Sequence, residues 1–199
     1  MKFVCLDMEG VLTPEIWQHV ARRTGIAELN LTTRDFKDYH ELMGLRIEVC
    51  KKHNVTLDKI QAYISELSVF EGARDFLDWI RERYQLVILS DTYYEFAGHF
   101  MRLLGQPTLL CHTIAYNAKT GKLEYVLRQE NSKGVAVKAL RSLNFRTLAI
   151  GDSYNDVQML KEADAASFFH APDNVKIDFP QFGNLSTYDE LRAFISKNL

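Results

Sequence analysis

The chain lacks most features that would place it outside ordinary globular enzymes. No apolar run in its 199 residues approaches the roughly 20 that a membrane helix needs, so no membrane partner is expected. Charge of neither sign dominates: 24 basic against 26 acidic side chains leave a formal net charge of −2. That argues against an electrostatic grip on nucleic acid or anionic lipid. Cysteine is scarce and odd in number, with Cys5, Cys50 and Cys111 in no C-x-x-C spacing, which excludes a disulfide framework. The six histidines are scattered, and Cys50 with His53 is only a pair, so no four-ligand zinc set is visible. There is no internal repeat and no low-complexity tract. One lysine and a handful of apolar residues precede Asp7, too little for a secretory signal. The cytoplasm is the expected compartment, with the thiols as small buried apolar groups.

What is present is a rhythm. Short apolar runs at Phe3–Leu6, Leu86–Leu89, Leu109–Cys111, Leu148–Ile150 and Ala165–Phe169 predict strands. Between most of them lie stretches with helical spacing, at Ala73–Arg83, Phe96–Leu104, Val135–Leu143 and Val157–Ala163. Near-continuous apolar strands alternating with helices predict an α/β fold, a doubly wound parallel sheet covered on both faces. Two stretches break the rhythm. Residues 14–70 read mainly as helices, too long for a plain connection, so a helical cap inserted after the first strand is expected. Residues 1–13 and 71–199 would form the core. The second break, Thr113–Leu127, carries turn chemistry at Thr120-Gly121 and predicts a β-hairpin at the sheet edge.

Open α/β sheets bind ligands beyond the carboxyl ends of their strands. There the sequence places "DMEG" (Asp7, Glu9), "SDT" (Ser90 to Thr92) and "GDSYND" (Gly151 to Asp156), while Lys133 sits where the helix before the fourth strand begins. Each acid alone could be a helix cap. Gathered at one edge with a hydroxyl and a lysine, Asp7, Asp152 and Asp156 make an oxygen-rich set suited to Mg²⁺. A metal, a lysine and a hydroxyl together suit phosphoryl transfer. One carboxylate can attack phosphorus, and a second can shuttle the proton. In "ELMGLRIEVC", Arg46 shares a helical face with Leu42, Met43, Val49 and Cys50. A cation in an apolar stripe calls for an anionic partner, unless it snorkels to water. Glu15, after Pro14, fits either a ligand role or the first turn of a helix.

These motifs resemble the haloacid dehalogenase (HAD) superfamily of phosphotransferases over nearly the whole chain. "DMEGV", Ser90, Lys133 and "GDSYND" stand in that family's order. The resemblance implies Asp7 as nucleophile and Glu9 as acid–base residue. It implies Mg²⁺ on Asp7, Asp152 and the backbone carbonyl of Glu9, phosphate contacts from Ser90, Lys133 and Asn155, and support from Asp156. The helical insertion resembles the cap of the phosphoserine phosphatase group, which implies Glu15 and Arg46 as contacts for the ammonium and carboxylate of phosphoserine. Departures from that group point to a narrower subgroup whose members also pass the phosphoryl group to homoserine. They are Glu9 where Asp is usual, and Asp91 and Thr92 where two glycines are usual. The expected partners are small molecules, phosphoserine and homoserine, with a homodimer left open. Two other classes compete: a phosphoacceptor signalling module, and a silent HAD scaffold with Glu9 as its lesion.

Overall fold

The computed structural model describes residues 1–32, 36 and 38–199. The expected helical insertion runs across residues 33–35 and 37, which lie outside that set. The chain opens with β1 (Lys2–Leu6), whose side chains alternate between two cores. Val4 and Leu6 face one apolar cluster, and Cys5 faces the other. β2 (Gln85–Tyr93) and β5 (Arg146–Gly151) flank β1 in parallel, and repeat the alternation with Ile88 against Val87 and with Leu148 against Ala149. β3 (Leu109–Asn117) extends the sheet beyond β2, and β6 (Ala165–Phe169) beyond β5. The described sheet has seven strands in the order β4-β3-β2-β1-β5-β6-β7. Only the β3–β4 pair is antiparallel: β4 (Lys122–Val126) closes the expected hairpin at one edge.

Helices cover both faces. α4 (Ala73–Arg81), α5 (Tyr94–Leu103) and α9 (Tyr188–Asn198) bury Phe76, Phe96 and Leu191 in the first cluster. α6 (Ser132–Ser142), α7 (Val157–Glu162) and α8 (Asp173–Asp178) bury Val137, Leu160 and Val175 in the second. Between β1 and α4 lie α1 (Ile16–Thr24), α2 (Tyr39–Lys52) and α3 (Leu57–Ile64). Gly25 ends α1 in the left-handed conformation that glycine adopts without penalty. Ile16, Val20, Met43 and Ile60 join the same apolar cluster as Val4 and Leu6, so this helical segment is welded to the sheet rather than merely tethered.

Three differences from the sequence reading have physical causes. Strand β2 runs on through Ser90, Asp91 and Thr92 to Tyr93, past the end of its apolar run, because the chain there keeps an extended path with a register shift against β3. The two-residue β7 (Asn184–Leu185) is too short to leave a period. Helix α9 had a legible start, a reciprocal cap between Thr187 and Glu190, but only two of its residues are fully buried, so its apolar stripe is weak.

Candidate active site

β1 lies at the centre of the sheet, between β2 and β5, and the chain's winding reverses there. The crevice at such a reversal is where α/β folds place ligands. Asp7 follows β1 and Asp152 follows β5, so the switch point itself brings the two acids together. Asp7, Asp152 and Asp156 each offer a carboxylate oxygen within 4.8 Å of the others. Two glycines permit this closeness. A Cβ on Gly10, at φ +78°, would stand 2.4 Å from the Asp152 carboxyl carbon, and one on Gly151 would stand 2.3 Å from that of Asp156. Gly10 therefore serves both the close approach of Asp152 and a left-handed backbone conformation.

The acids differ in how well they are partnered. Asp156 is fully buried: one oxygen takes Lys133 Nζ at 2.7 Å, and the other takes the amides of Asp152 and Ser153 at 2.9 and 3.1 Å. It is a brace for the "GDSYND" loop, with little capacity left for an ion. Asp7 accepts from the Met8 amide at 2.7 Å and stands 2.9 Å from Lys133 Nζ. Burial first, and the charge of Asp156 next, still hold its carboxyl well above the ordinary range despite that lysine. Asp152 is pushed up to about 8 by burial and then by Asp156. Two carboxyls that resist ionising side by side, with oxygen-only donors, are what a hard divalent cation would relieve, so the set fits Mg²⁺.

Lys133 sits in the first turn of α6, buried at 3 % exposure, with Asp91 as a third carboxylate at 3.7 Å. Its carboxylates outweigh the burial that would lower its pKa, and hold it well above the usual ammonium value. Ser90 is buried and accepts the Thr92 amide at 3.3 Å, which leaves its hydroxyl proton for the cleft. Asn155 reaches Asp91 with its amide nitrogen at 2.9 Å. Glu9 turns toward the amino end of α1, where it accepts the Ile16 amide at 2.8 Å. The extra methylene relative to Asp gives it that reach. Burial, and then Glu15, push its carboxyl up to about 8, against the lowering effects of the Ile16 amide and Arg46.

Asp7, Glu9, Ser90, Lys133, Asp152 and Asn155 line one cleft of about 470 Å³ together with Glu15 and Arg46. Arg46 does not snorkel. It is 7 % exposed, with its guanidinium 4.8 Å from the Trp17 ring centroid and Nη2 donating to the Leu31 carbonyl at 2.8 Å. Its Nε is the buried side-chain polar atom left without a hydrogen-bond partner among the described residues. Glu15 is exposed at the N-cap of α1 but bonds no helix amide there with its side chain. Three contributors were not singled out from sequence. Tyr39 bonds the Tyr93 hydroxyl at 2.8 Å and the Asp91 carbonyl at 3.2 Å, which ties α2 to β2. His112 is buried 3.6 Å from Asp91. Trp17 floors the Arg46 side. Each stands far in sequence from the residue it meets, and none carries a motif.

Comparison with known proteins agrees with this geometry. The profile of the haloacid dehalogenase-like hydrolase family matches residues 1–164. A phosphoserine phosphatase of Pseudomonas syringae pv. tomato is 52 % identical over 192 residues, covering 96 % of this chain and 81 % of that one. The phosphoserine phosphatase ThrH of Pseudomonas aeruginosa is 50 % identical over 192 residues, covering 96 % and 94 %. Among solved structures, phosphoserine phosphatase from T. onnurineus superposes with a TM-score of 0.76 at 23 % identity, over 98 % of this chain and 94 % of that one. A phospho-aspartyl intermediate analogue of phosphoserine phosphatase superposes with a TM-score of 0.73 at 19 % identity, over 100 % and 99 %. Among the described residues no helix is long and apolar enough to cross a membrane.

Proposed function

Because the chain belongs to the haloacid dehalogenase-like hydrolase family, we propose that it is a phosphoserine phosphatase working through an aspartyl-phosphate on Asp7, and that it also passes the phosphoryl group to homoserine. The observation that carries the substrate half is Arg46: a buried guanidinium whose Nε has no partner among the described residues, in the same cleft as the Asp7–Lys133 pair. A substrate joining a phosphoryl group to a carboxylate satisfies both ends. Glu15 lines the same cleft and suits the substrate ammonium. In this reading residues 14–70 act as the cap that recognises the amino acid, and residues 1–13 and 71–199 supply the chemistry.

Mg²⁺ would be held by Asp7, Asp152 and the Glu9 carbonyl, and would supply charge neutralisation for the phosphoryl oxygens. The chain's own groups do the rest. Asp7 attacks phosphorus as the bond to the serine oxygen breaks. Lys133 and Ser90 donate to the phosphoryl oxygens, and Asn155 supports them. Glu9, with a carboxyl raised to about 8, carries a proton at neutral pH and gives it to the leaving serine oxygen. It then takes a proton from water or from the homoserine hydroxyl as that oxygen attacks the acyl phosphate, which frees Asp7. Buried thiols at Cys5, Cys50 and Cys111 suit a reducing cytoplasm.

Two observations bear on homoserine: a Glu in the acid–base position, and Asp91 and Thr92 where two glycines are usual after Ser90. The test is phosphoserine turnover with Mg²⁺ in rising homoserine, with phosphohomoserine and free phosphate measured separately. Phosphohomoserine should form at the expense of phosphate, and Glu9→Asp should change their ratio while Glu9→Gln impairs both. No phosphohomoserine at saturating homoserine removes the transfer, and no release of phosphate from phosphoserine removes the hydrolase. Uptake of a single phosphate per chain would instead mark a phosphoacceptor module.

A further inference from the structure

Asp91 is an acid that the proposed reaction does not use, yet four groups around the cleft hold it. Its Oδ2 accepts from Asn155 at 2.9 Å and stands 3.7 Å from Lys133 Nζ. Its Oδ1 stands 3.5 Å from the Ser132 hydroxyl and 3.6 Å from His112 Nε2. The His112 ring is oriented in turn: the Arg128 amide donates to Nδ1 at 3.0 Å, which puts the ring proton on Nε2, facing Asp91. Burial would raise the Asp91 carboxyl, but Lys133, His112 and Asn155 outweigh it and hold it below the usual carboxylate range. Asp91 is thus a fixed negative charge, with its side chain 30 % exposed to the cleft.

The consequence concerns Lys133. Three carboxylates surround one ammonium at 2.7, 2.9 and 3.7 Å, from Asp156, Asp7 and Asp91. Asp7 is the proposed nucleophile, and Asp156 holds the loop amides. Asp91 makes neither contribution, so its net effect on an anion arriving at Lys133 is repulsion across a short distance. We propose that Asp91, held by His112, acts as an electrostatic counterweight to Lys133: its charge weakens the lysine's grip on phosphate, so that the product anion leaves. The inference rests on the reading that Lys133 receives the phosphoryl group.

The two can be separated by calorimetric titration of inorganic phosphate into the Mg²⁺-loaded protein, with product-inhibition constants as a second readout. Asp91→Asn keeps the shape and removes the charge, and should tighten phosphate about three- to thirty-fold. Asp91→Glu keeps the charge and should stay within about twofold of the original chain. Asp91→Ser answers the same question should the Asn variant not fold. A residue that merely props the site would do the reverse, since its loss would loosen Lys133 and weaken phosphate. Unchanged or weaker phosphate binding in Asp91→Asn overturns the counterweight and leaves the phosphoryl site standing. Equal tightening in Asp91→Glu overturns it too, because charge would not be the cause. No phosphate binding by the unaltered chain overturns both readings together.

Discussion

The cleft has two ends built on opposite principles. At the strand tips, charge is crowded and cross-braced: Asp7, Asp91 and Asp156 surround Lys133, and backbone amides of the turn after β5 clamp Asp156. At the helical end, charge is sparse and incompletely partnered. Arg46 lies over Trp17 with one carbonyl for Nη2, a thioether sulfur 3.7 Å from Nη1 and, among the described residues, no partner for Nε. The first end is cross-braced before any ligand arrives. The second holds an unmet hydrogen bond that a ligand carboxylate would complete. A braced end suits catalysis, since preorganised charge need not rearrange during reaction. An unmet polar group suits selection, since only a ligand that answers it recovers the cost of burying it.

The comparison can be broken most severely at Asp7. Asp7→Asn cannot form an acyl phosphate, so turnover of phosphoserine and of an aryl phosphate should both fall by about a thousandfold or more. Steady-state rates with both substrates check this, and more than about 1 % residual activity would remove Asp7 from the nucleophile role. Arg46→Ala should separate the ends. Losing a charge-assisted contact of about 1.5–3 kcal/mol should lower kcat/KM for phosphoserine roughly 10- to 150-fold. An aryl phosphate without a carboxylate should change little, and equal losses on both would make Arg46 a structural residue. Gly10→Ala should act only at the braced end. Its methyl would displace Asp152, raising the Mg²⁺ concentration for half-maximal activity about tenfold for both substrates alike. An unaltered Mg²⁺ dependence would show that the loop yields without moving Asp152.

The smallest effect concerns pH. Glu9 and Asp152 are pushed up to about 8 in the folded chain, whereas unfolded carboxyls titrate near 4. Between those values the folded state binds more protons. Their contribution is therefore fully present below about pH 4 and is lost as pH rises through about 8. In chelator the melting temperature should fall by at least about 4 °C from pH 5.5 to 8.5. Mg²⁺ should restore more at the higher pH, where it need not displace protons. A flat profile in chelator would mean that these acids ionise freely.

By itself the sequence determined where the reactive groups stand along the chain. Near-continuous apolar runs marked β1 and β6 almost to their ends, and the start of β3 and the middle of β5, and the residues just after β1 and β5, within the extension of β2, and opening α6 carry the acids, hydroxyl and lysine. That was legible because a buried strand leaves an unbroken apolar signal, and because a parallel sheet aligns its carboxyl ends at one edge. The helical face of α2 was equally plain, since Leu42, Met43, Val49 and Cys50 bury beside Arg46 as the spacing implies. Tertiary structure alone decided how those groups share their charges. Asp156 is consumed by Lys133 and two amides, Glu9 turns to the head of α1, and Gly10 is needed for the approach of Asp152. It alone brought His112 to Asp91 and Tyr39 to Tyr93. Such pairings depend on distance in space between residues 21 and 54 positions apart, and no periodicity or spacing along a chain encodes them.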